Sequence, residues 1–381
     1  MIDKILNNIK NMNIFLAYNS NIDNIVPIME LEKLTNKKPK PNFPKEIKTK
    51  KDIVSAALFC MNSGEGHELQ MPSKLSNKLK EKLNPKKRSL GGQAGIMSNY
   101  LSKLNADCTV YTPFLSKFKE KLFEKNVKLI SDKKKEKNNW IFEFKKGDEL
   151  FGVKSKTTGR FIAGERNKEY VFNYNNNNNI KNFDCAIFAG FQNIVGNPKK
   201  QLNKASKLIK NSKIPVHFEF VYDPIIEDKI LEKIATPCYS MGADSVEIKE
   251  IAKILGHTPI DYTKKEKMIK LLKKINKDLN LERLYLHTPE YFLTVGKNLN
   301  KKTKKAMEFA EISAASHALG NFKSAKDLKK GKKVKQNKTK SVLNKDYIIV
   351  PNRMVKNPKR VVGLGDIVSA SLFLGEQALE K

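Results

Sequence analysis

A Gly-Leu-Gly-Asp run, Gly363 to Asp366, leads into an apolar segment, Ile367 to Leu372, near the C-terminus. Glycines leave backbone N–H groups room to converge. If a helix begins here, its first amides lack intrahelical partners and its dipole is positive at that end, which makes an anion site. A carboxylate fixed beside that site can take a proton from an alcohol while the amides hold phosphate, so the spacing suits alcohol phosphorylation. The same run also suits an ordinary turn with an aspartate cap. His217 and Glu219 alternate with apolar residues in Pro215 to Phe220, which puts both on one side of a strand. A carboxylate in that setting needs a partner such as metal or water. Asp244 and Glu247 stand before an apolar-periodic helix at the spacing of a capping box. Asp23 closes a polar cluster, Asn19 to Asp23, that reads as a turn after an apolar strand. Glu68 lies in a glycine-containing break and reads as a solvated loop acid. Gly91, Gly92 and Gln93 open a small-residue helix, where the glycines suit close approach of either a ligand or a neighbouring sheet.

The elements that must carry these groups alternate between strand and helix patterns. Short apolar strands are expected at Ile14 to Tyr18, Asp107 to Tyr111, Asp184 to Gly190, Pro215 to Phe220, Leu284 to Thr288, Tyr291 to Val295 and Tyr347 to Pro351. Helices are expected at 52–62 with Asp52 as cap, 264–279 and 306–319. This rhythm implies an α/β fold, and a polar cluster at the end of an early buried strand is where such sheets place ligand contacts. Between Asn139 and Phe172 the pattern changes to strands only. Trp140 to Phe144 with Phe151 to Val153 reads as one hairpin, and Arg160 to Ala163 with Glu169 to Phe172 as another, which makes a candidate β lid. Asn175 to Asn179 is a low-complexity loop closing it. Residues 33–51 and 322–346 are Lys-rich and read as solvated connections.

With 381 residues the chain can build a large domain and a smaller one. Its net charge of +33 would ordinarily suggest nucleic acid, but the lysines are spread over nearly every surface segment and aromatics do not interleave with them. Cys60, Cys108, Cys185 and Cys238 are far apart, so neither a disulfide scaffold nor a zinc site is expected. No apolar run approaches the ~20 residues of a membrane span, and the first twelve residues lack the apolar core of a signal peptide, which together favour a cytoplasmic location.

Several segments, taken in order, resemble the archaeal ADP-dependent glucokinase/phosphofructokinase family of the ribokinase-like superfamily. They are Asn19 to Asp23, Gly91 to Met97, Arg160 to Ala163, Gly190 to Gln192, His217 to Glu219, Leu286 to Thr288, Val350 to Pro358 and Gly363 to Asp366. The resemblance implies a central, mostly parallel sheet flanked by helices, with a smaller β-rich lid. It places residues 1–23, 76–134 and 180–381 in the large nucleotide-binding domain, and 24–75 and 135–179 in the lid and sugar-binding domain. It implies transfer of the β-phosphate of ADP to glucose, fructose 6-phosphate or both, giving AMP, with small molecules rather than nucleic acid or membrane as partners. Asp366 would be the general base, the amides of Gly363 to Gly365 the anion hole, and Arg160 a phosphate contact. Glu219 and Glu247, with Asp366 beside them, would hold Mg²⁺. Asp23, Glu68, Gly92 and Gln93 would bind the sugar; His287, Val350, Arg353 and Leu364 would line the nucleotide. The chain departs from the family pattern at Asp244, where the family has Asn, and at Ile367, where it has Thr. Two other readings predict different behaviour: a homologue that binds nucleotide or sugar without turnover, and a basic nucleic-acid-binding protein.

Overall fold

The computed structural model describes residues 2–174, 180–222, 227–360 and 362–381. The expected Asn175 to Asn179 loop and Val361 lie outside these residues. The strands are β1 (Asn13–Tyr18), β2 (Asn21–Pro27), β3 (His67–Pro72), β4 (Lys87–Gly91), β5 (Asp107–Phe114), β6 (Lys128–Lys133), β7 (Asn138–Phe144), β8 (Glu149–Leu150), β9 (Val153–Lys154), β10 (Gly159–Arg166), β11 (Cys185–Ala189), β12 (Val216–Glu219), β13 (Ser240–Asp244), β14 (Arg283–His287), β15 (Tyr291–Gly296), β16 (Val342–Leu343) and β17 (Tyr347–Pro351). The α-helices are α1 (Ile2–Ile9), α2 (Lys50–Ser63), α3 (Ser73–Lys82), α4 (Gln93–Lys103), α5 (Lys117–Glu120), α6 (Pro198–Ser212), α7 (Glu227–Ile230), α8 (Ser245–Ile254), α9 (Lys265–Asp278), α10 (Lys301–Ala318), α11 (Leu328–Lys332) and α12 (Leu364–Glu380).

Among the described residues, ten strands form one sheet in the order β16-β17-β15-β14-β13-β12-β11-β1-β5-β6. From β14 through β6 every pairing is parallel; β15, β16 and β17 close the other edge antiparallel. The central strands read as continuous apolar runs because helices cover both faces; β11 is buried at all five positions. The core is correspondingly split in two, one cluster on each side of this sheet. A second sheet, β3-β10-β7-β2-β4, carries α2 and α3 on one face only. Its strands therefore alternate. Trp140, Phe142 and Phe144 of β7 and Phe161 and Ala163 of β10 face the helices. Asn139, Ile141 and Glu143, with Arg160, Ile162 and Gly164, face the other way.

Local readings differ from the expectations in several places. Asp23 is not in a turn: β1 ends at Tyr18 and the chain re-enters a strand at Asn21, crossing from the large sheet to the small one through Asn19 and Ser20. The 52–62 helix begins earlier, capped by Thr49 with Asp52 completing the capping box. The hairpin in this region is β8–β9, while β7 pairs antiparallel with β10 and β10 runs parallel to β3. Tyr170 and Phe172 are not strand residues; both are buried in the large core. β4, expected in the larger unit, is hydrogen-bonded to β2 in the smaller sheet. The 322–346 segment is anchored by buried Leu328 and by a bridge from Gln336 to Arg353.

Helix α12 is fixed at its far end by a buried ion pair. Arg283 Nε donates to Glu376 Oε1 at 2.8 Å, Tyr285 OH to Oε2 at 2.7 Å, and Thr303 Oγ1 to Oε1 at 3.0 Å. These bonds set the rotation of α12 under β14 and α10. Removing one partner of a buried pair leaves the other charge stranded. Arg283→Met should lower unfolding free energy by about 3–5 kcal/mol in urea titrations. Arg283→Met combined with Glu376→Leu should recover most of that loss, and a double variant as unstable as the single one contradicts this role.

Candidate active site

The carboxyl ends of adjacent parallel strands deliver most of the polar groups of the cleft, as expected for an open α/β sheet. Asn19 follows β1, Gly190 follows β11, Glu219 ends β12, Asp244 ends β13 and His287 ends β14. Helix α12 brings its N-terminus to the same edge. Gly363 caps it with φ 74°, a left-handed conformation that turns the chain into the helix, and Asp366 lies in the first turn. Gly365 packs so closely on His287 that an added Cβ would lie 2.8 Å from the ring Cε1.

Four carboxylates crowd this edge. Glu219 is 3% exposed and lies between two imidazoles, His217 Nε2 at 3.3 Å and His287 Nε2 at 3.4 Å. Burial alone would raise its pKa, but the hydrogen bond with His217 and the nearness of the His287 ring hold it down to about 2. Gly242 leaves room for this side chain, because a Cβ there would meet Glu219 Oε2 at 2.3 Å. Glu247 completes the capping box with Asp244, accepting the Asp244 N–H at 2.8 Å. Burial raises its pKa well above the usual range, and Asp244, Glu219 and Asp366 push it in the same direction. Asp366 is raised to about 7, first by burial and then by Glu219, with His287 opposing. Asp244 fills the cap position, accepting from Val246 N and Glu247 N. Ile367 is wholly buried in the core under the sheet, so its side chain contributes packing rather than a polar group at the helix mouth.

Across the cleft, the open face of the small sheet presents a polar row. Registered pairing aligns Ser89, Asp23, Asn139, Gly164 and Gln70 across β4, β2, β7, β10 and β3. The next row is Lys87, Ile25, Ile141, Ile162 and Glu68. Asp23 accepts from Asn21 Nδ2 at 2.6 Å; burial raises its pKa to about 7, Asn21 lowers it, and Glu68 raises it further. Gly164 keeps the row open, since a Cβ there would lie 3.0 Å from Glu68 Oε1 and Gln70 Nε2. Arg160 shares this face with Asp23, Glu143 and Glu68 as charged neighbours, and burial lowers its pKa. Gly92 caps α4 with φ 76°, and Gln93 Oε1 accepts from Asn19 Nδ2 at 2.9 Å. The side-chain oxygens of Asn21, Asn139 and Gln192 are buried and accept no hydrogen bond from the described residues. A cavity of about 470 Å³ extends from Asp23 between this face, α4, the end of α10 and the Lys359–Val362 approach to α12.

The pattern of the ADP-specific phosphofructokinase/glucokinase conserved region matches residues 12–375. The chain belongs to that family. It is 30% identical to the ADP-specific phosphofructokinase of Pyrococcus horikoshii, across 96% of this chain and 97% of that one. It is 28% identical to the ADP-dependent glucose/glucosamine kinase of Pyrococcus furiosus, across 95% and 94%. Among solved structures, an ADP-dependent kinase in complex with fructose-6-phosphate and ADPβS superposes with a TM-score of 0.84 at 26% identity, covering 99% of this chain and 96% of that one. The Pyrococcus horikoshii phosphofructokinase with AMP gives 0.81 at 27% identity, covering 97% and 98%.

In this family member, the residues expected to act together fall into two groups. Asp366, Gly363, Leu364, Gly365, Glu219, Glu247 and His287 gather at the sheet edge; Asp23, Glu68, Arg160, Gly92 and Gln93 gather on and beside the small sheet. Electrostatic coupling of Asp366 to Asp23 links the two. Two expected nucleotide residues are placed otherwise. The Val350 side chain is wholly buried in the core, which leaves only its backbone for contact. The Arg353 guanidinium donates to Lys332 O, Val334 O and Glu311 Oε1, so it holds the Lys-rich segment in place. The loop still lies beside the β14–β15 turn, because Asn352 Nδ2 donates to Thr288 O and Pro289 O at 3.2 Å each. Sequence reasoning missed Asn139 and Lys137. Asn139 was legible as the position alternating with core-facing Trp140. Lys137 is buried, donates to Asn193 Oδ1 at 2.9 Å, and has its pKa lowered to about 8 by burial despite the attraction of Glu68, Glu165 and Asp23.

The raised pKa of Asp366 has a sign that can be checked. Between its unfolded value near 4 and its folded value near 7, the folded protein holds a proton that the unfolded chain has released. Stability contributed by that proton is present at low pH and is lost as pH rises through this window. In metal-free buffer, Asp366→Asn should therefore raise the melting temperature more at pH 8 than at pH 5. An equal or opposite change would mean that Asp366 is not desolvated as described.

Proposed function

We propose that the protein transfers the β-phosphoryl group of ADP to a sugar hydroxyl, giving AMP and a sugar phosphate. The observation that carries this reading is the Asp366 carboxyl in the first turn of α12, its pKa raised to about 7 so that its carboxylate can accept a proton near neutral pH, beside Glu219, Glu247 and His287. The sugar oxygen attacks the β-phosphorus, and a new O–P bond forms. The bond from that phosphorus to the bridging oxygen breaks, AMP leaves, and the hydroxyl proton passes to Asp366. The Gly363–Gly365 amides would receive the charge developing on the moving group. His287 stands over Gly365 where the donor phosphates would lie, with Leu364 and the Val350–Arg353 backbone beside it.

The acceptor would lie on the small sheet. Asp23 and Glu68 accept from hydroxyls, Gly92 and Gln93 line the end of α4, and the buried oxygens of Asn21, Asn139 and Gln192 accept the remaining O–H donors. Glucose suits the acid Glu68. Fructose 6-phosphate suits the adjoining cavity, where Lys87, Lys359 and Arg360 line the wall without a carboxylate partner among the described residues. Arg160 would meet phosphate as the small sheet closes on the large one. Closure would exclude water, which otherwise competes as acceptor.

Mg²⁺ fits the donor set as a water-bridged ion. Among the described residues no three His, Cys, Asp or Glu side chains are close enough to hold a metal directly. Glu219 is nevertheless kept ionised, and the crowding that raises Glu247 is what a divalent cation relieves. When bound, it would neutralise phosphate charge during transfer.

The test is a matrix of ADP or ATP against glucose and fructose 6-phosphate, with and without Mg²⁺, read as AMP or ADP release. The expected result is AMP formation from ADP with at least one acceptor, dependent on Mg²⁺. Nucleotide or sugar binding without turnover anywhere in the matrix would instead support a non-catalytic homologue.

A further inference from the structure

The chain passes between the two sheets at β1–β2, β4–α4, β6–β7 and β10–β11, so any swing of the small sheet bends these joints. Two of them are clamped to the large sheet by buried polar side chains. Lys119, on the short helix α5, is wholly buried. Its Nζ donates to Ser20 O at 2.7 Å, Phe114 O at 2.6 Å and Thr112 Oγ1 at 3.1 Å. Burial pulls its pKa well below the usual lysine range, and the three acceptors offset this by using all three hydrogens of the ammonium. Thr112 and Phe114 lie at the end of β5 in the large sheet, whereas Ser20 is the last residue before β2 of the small one. Tyr170, from the β10–β11 joint, grips the same residue. Its OH accepts from Ser20 N at 2.9 Å and directs its own hydrogen between Ser20 O at 3.0 Å and Tyr18 O at 3.1 Å. Phe114 meets the Tyr170 ring edge-on at 5.2 Å, so the hydroxyl has little freedom.

Ser20 is thereby held to the large sheet, and rotation of the small sheet has to be taken up beyond it. The β4–α4 joint packs against the clamp: a Cβ on Gly92 would lie 2.7 Å from both Asn19 O and Ser20 Cα. Asp23 stands three residues past Ser20 on β2, so the clamp is the origin from which the small sheet carries Asp23 relative to Asp366. A lysine that only filled core space would cost more there than an apolar chain of similar length. Its bonds are instead spent on the peptide that joins the sheets. We propose that Lys119 and Tyr170 are positioning residues that form the pivot for closure of the small sheet, so that the sugar hydroxyl meets Asp366 at one fixed distance. This rests on the phosphoryl-transfer reading above. Neither residue is among those assigned to sugar, nucleotide or metal. In that reading AMP lies on the large sheet alone, and its binding does not depend on the pivot.

The experiment compares Lys119→Met and Tyr170→Phe with the unsubstituted full-length enzyme, at a temperature where circular dichroism shows the variants folded. It measures turnover with ADP and glucose or fructose 6-phosphate, AMP affinity, and the radius of gyration by X-ray scattering. Scattering is recorded with and without AMP, the sugar and aluminium fluoride, a mimic of the planar phosphoryl group. The unsubstituted enzyme should contract on loading. Misplacing a reacting group by about 1 Å costs about 10²-fold, so Lys119→Met should lower kcat by roughly 10- to 100-fold and lose most of the contraction, with AMP affinity within about twofold. Tyr170→Phe keeps the ring and removes only the hydroxyl, so its kcat should fall by roughly 3- to 10-fold. A merely structural role would lower the melting temperature while leaving kcat and contraction of the folded enzyme as they were. Either readout unchanged in folded Lys119→Met overturns the proposal, as does a parallel loss of AMP affinity. If the methionine variant does not fold, Tyr170→Phe decides by the same readouts. An unsubstituted enzyme that does not contract overturns the pivot as well. Absence of turnover in the unsubstituted enzyme is instead a failure of the proposed function, and contraction alone then tests the pivot.

Discussion

Crowded negative charge at the mouth of α12 is the constraint around which this structure is arranged. Glu219, Glu247, Asp244 and Asp366 converge on one sheet edge, where burial makes each unpaired carboxylate expensive. The fold answers differently at each. Two histidines flank Glu219, a capping box occupies Glu247 and Asp244, and burial raises the Asp366 pKa to about 7, where it can exchange a proton near neutral pH. One acid is thus kept charged and another kept protonable within a single cleft. Environments that push the pKa values of neighbouring acids apart are how a site divides roles between them. A ligand carrying cations and phosphates changes the balance at every one of these positions together.

The scaffold makes this arrangement rigid where it must be. Five neighbouring parallel strands end at the site, so their spacing is set by backbone hydrogen bonds rather than by loops. The Arg283–Glu376 pair fixes the far end of α12, and α10 grips the segment entering it. The face of the small sheet has a different logic. The chain crosses from one sheet to the other at Asn19 and Ser20. There the fully buried Lys119 ammonium donates to Ser20 O, Thr112 Oγ1 and Phe114 O. That crossing carries Asp23 into position and ties the small sheet to the large one.

Much of this was legible because buried parallel strands leave an unmistakable apolar signature. Ile14 to Tyr18, Cys185 to Ala189 and the alternation of His217 with Glu219 placed the edge correctly, and ordered motif resemblance supplied the family. The misreadings share a cause: local pattern cannot see the tertiary partner. Alternating aromatics at Tyr170 and Phe172 look like a strand, yet they are plugs in the large core. Polar Asn19 to Asp23 looks like a turn, yet β4 and β7 recruit Asn21 to Asp23 into a sheet. Arg353 has the right chemistry for phosphate, but Glu311 and two carbonyls claim its donors.

The central claim is that Asp366 takes the sugar proton as the phosphoryl group moves. The most direct test is single-turnover transfer from bound ADP in Asp366→Asn, beside an independent measurement of nucleotide and sugar affinity. The account predicts a transfer rate reduced by about 10²–10⁴ with both affinities nearly intact. Transfer at the unsubstituted rate in a fully loaded Asp366→Asn enzyme would contradict it.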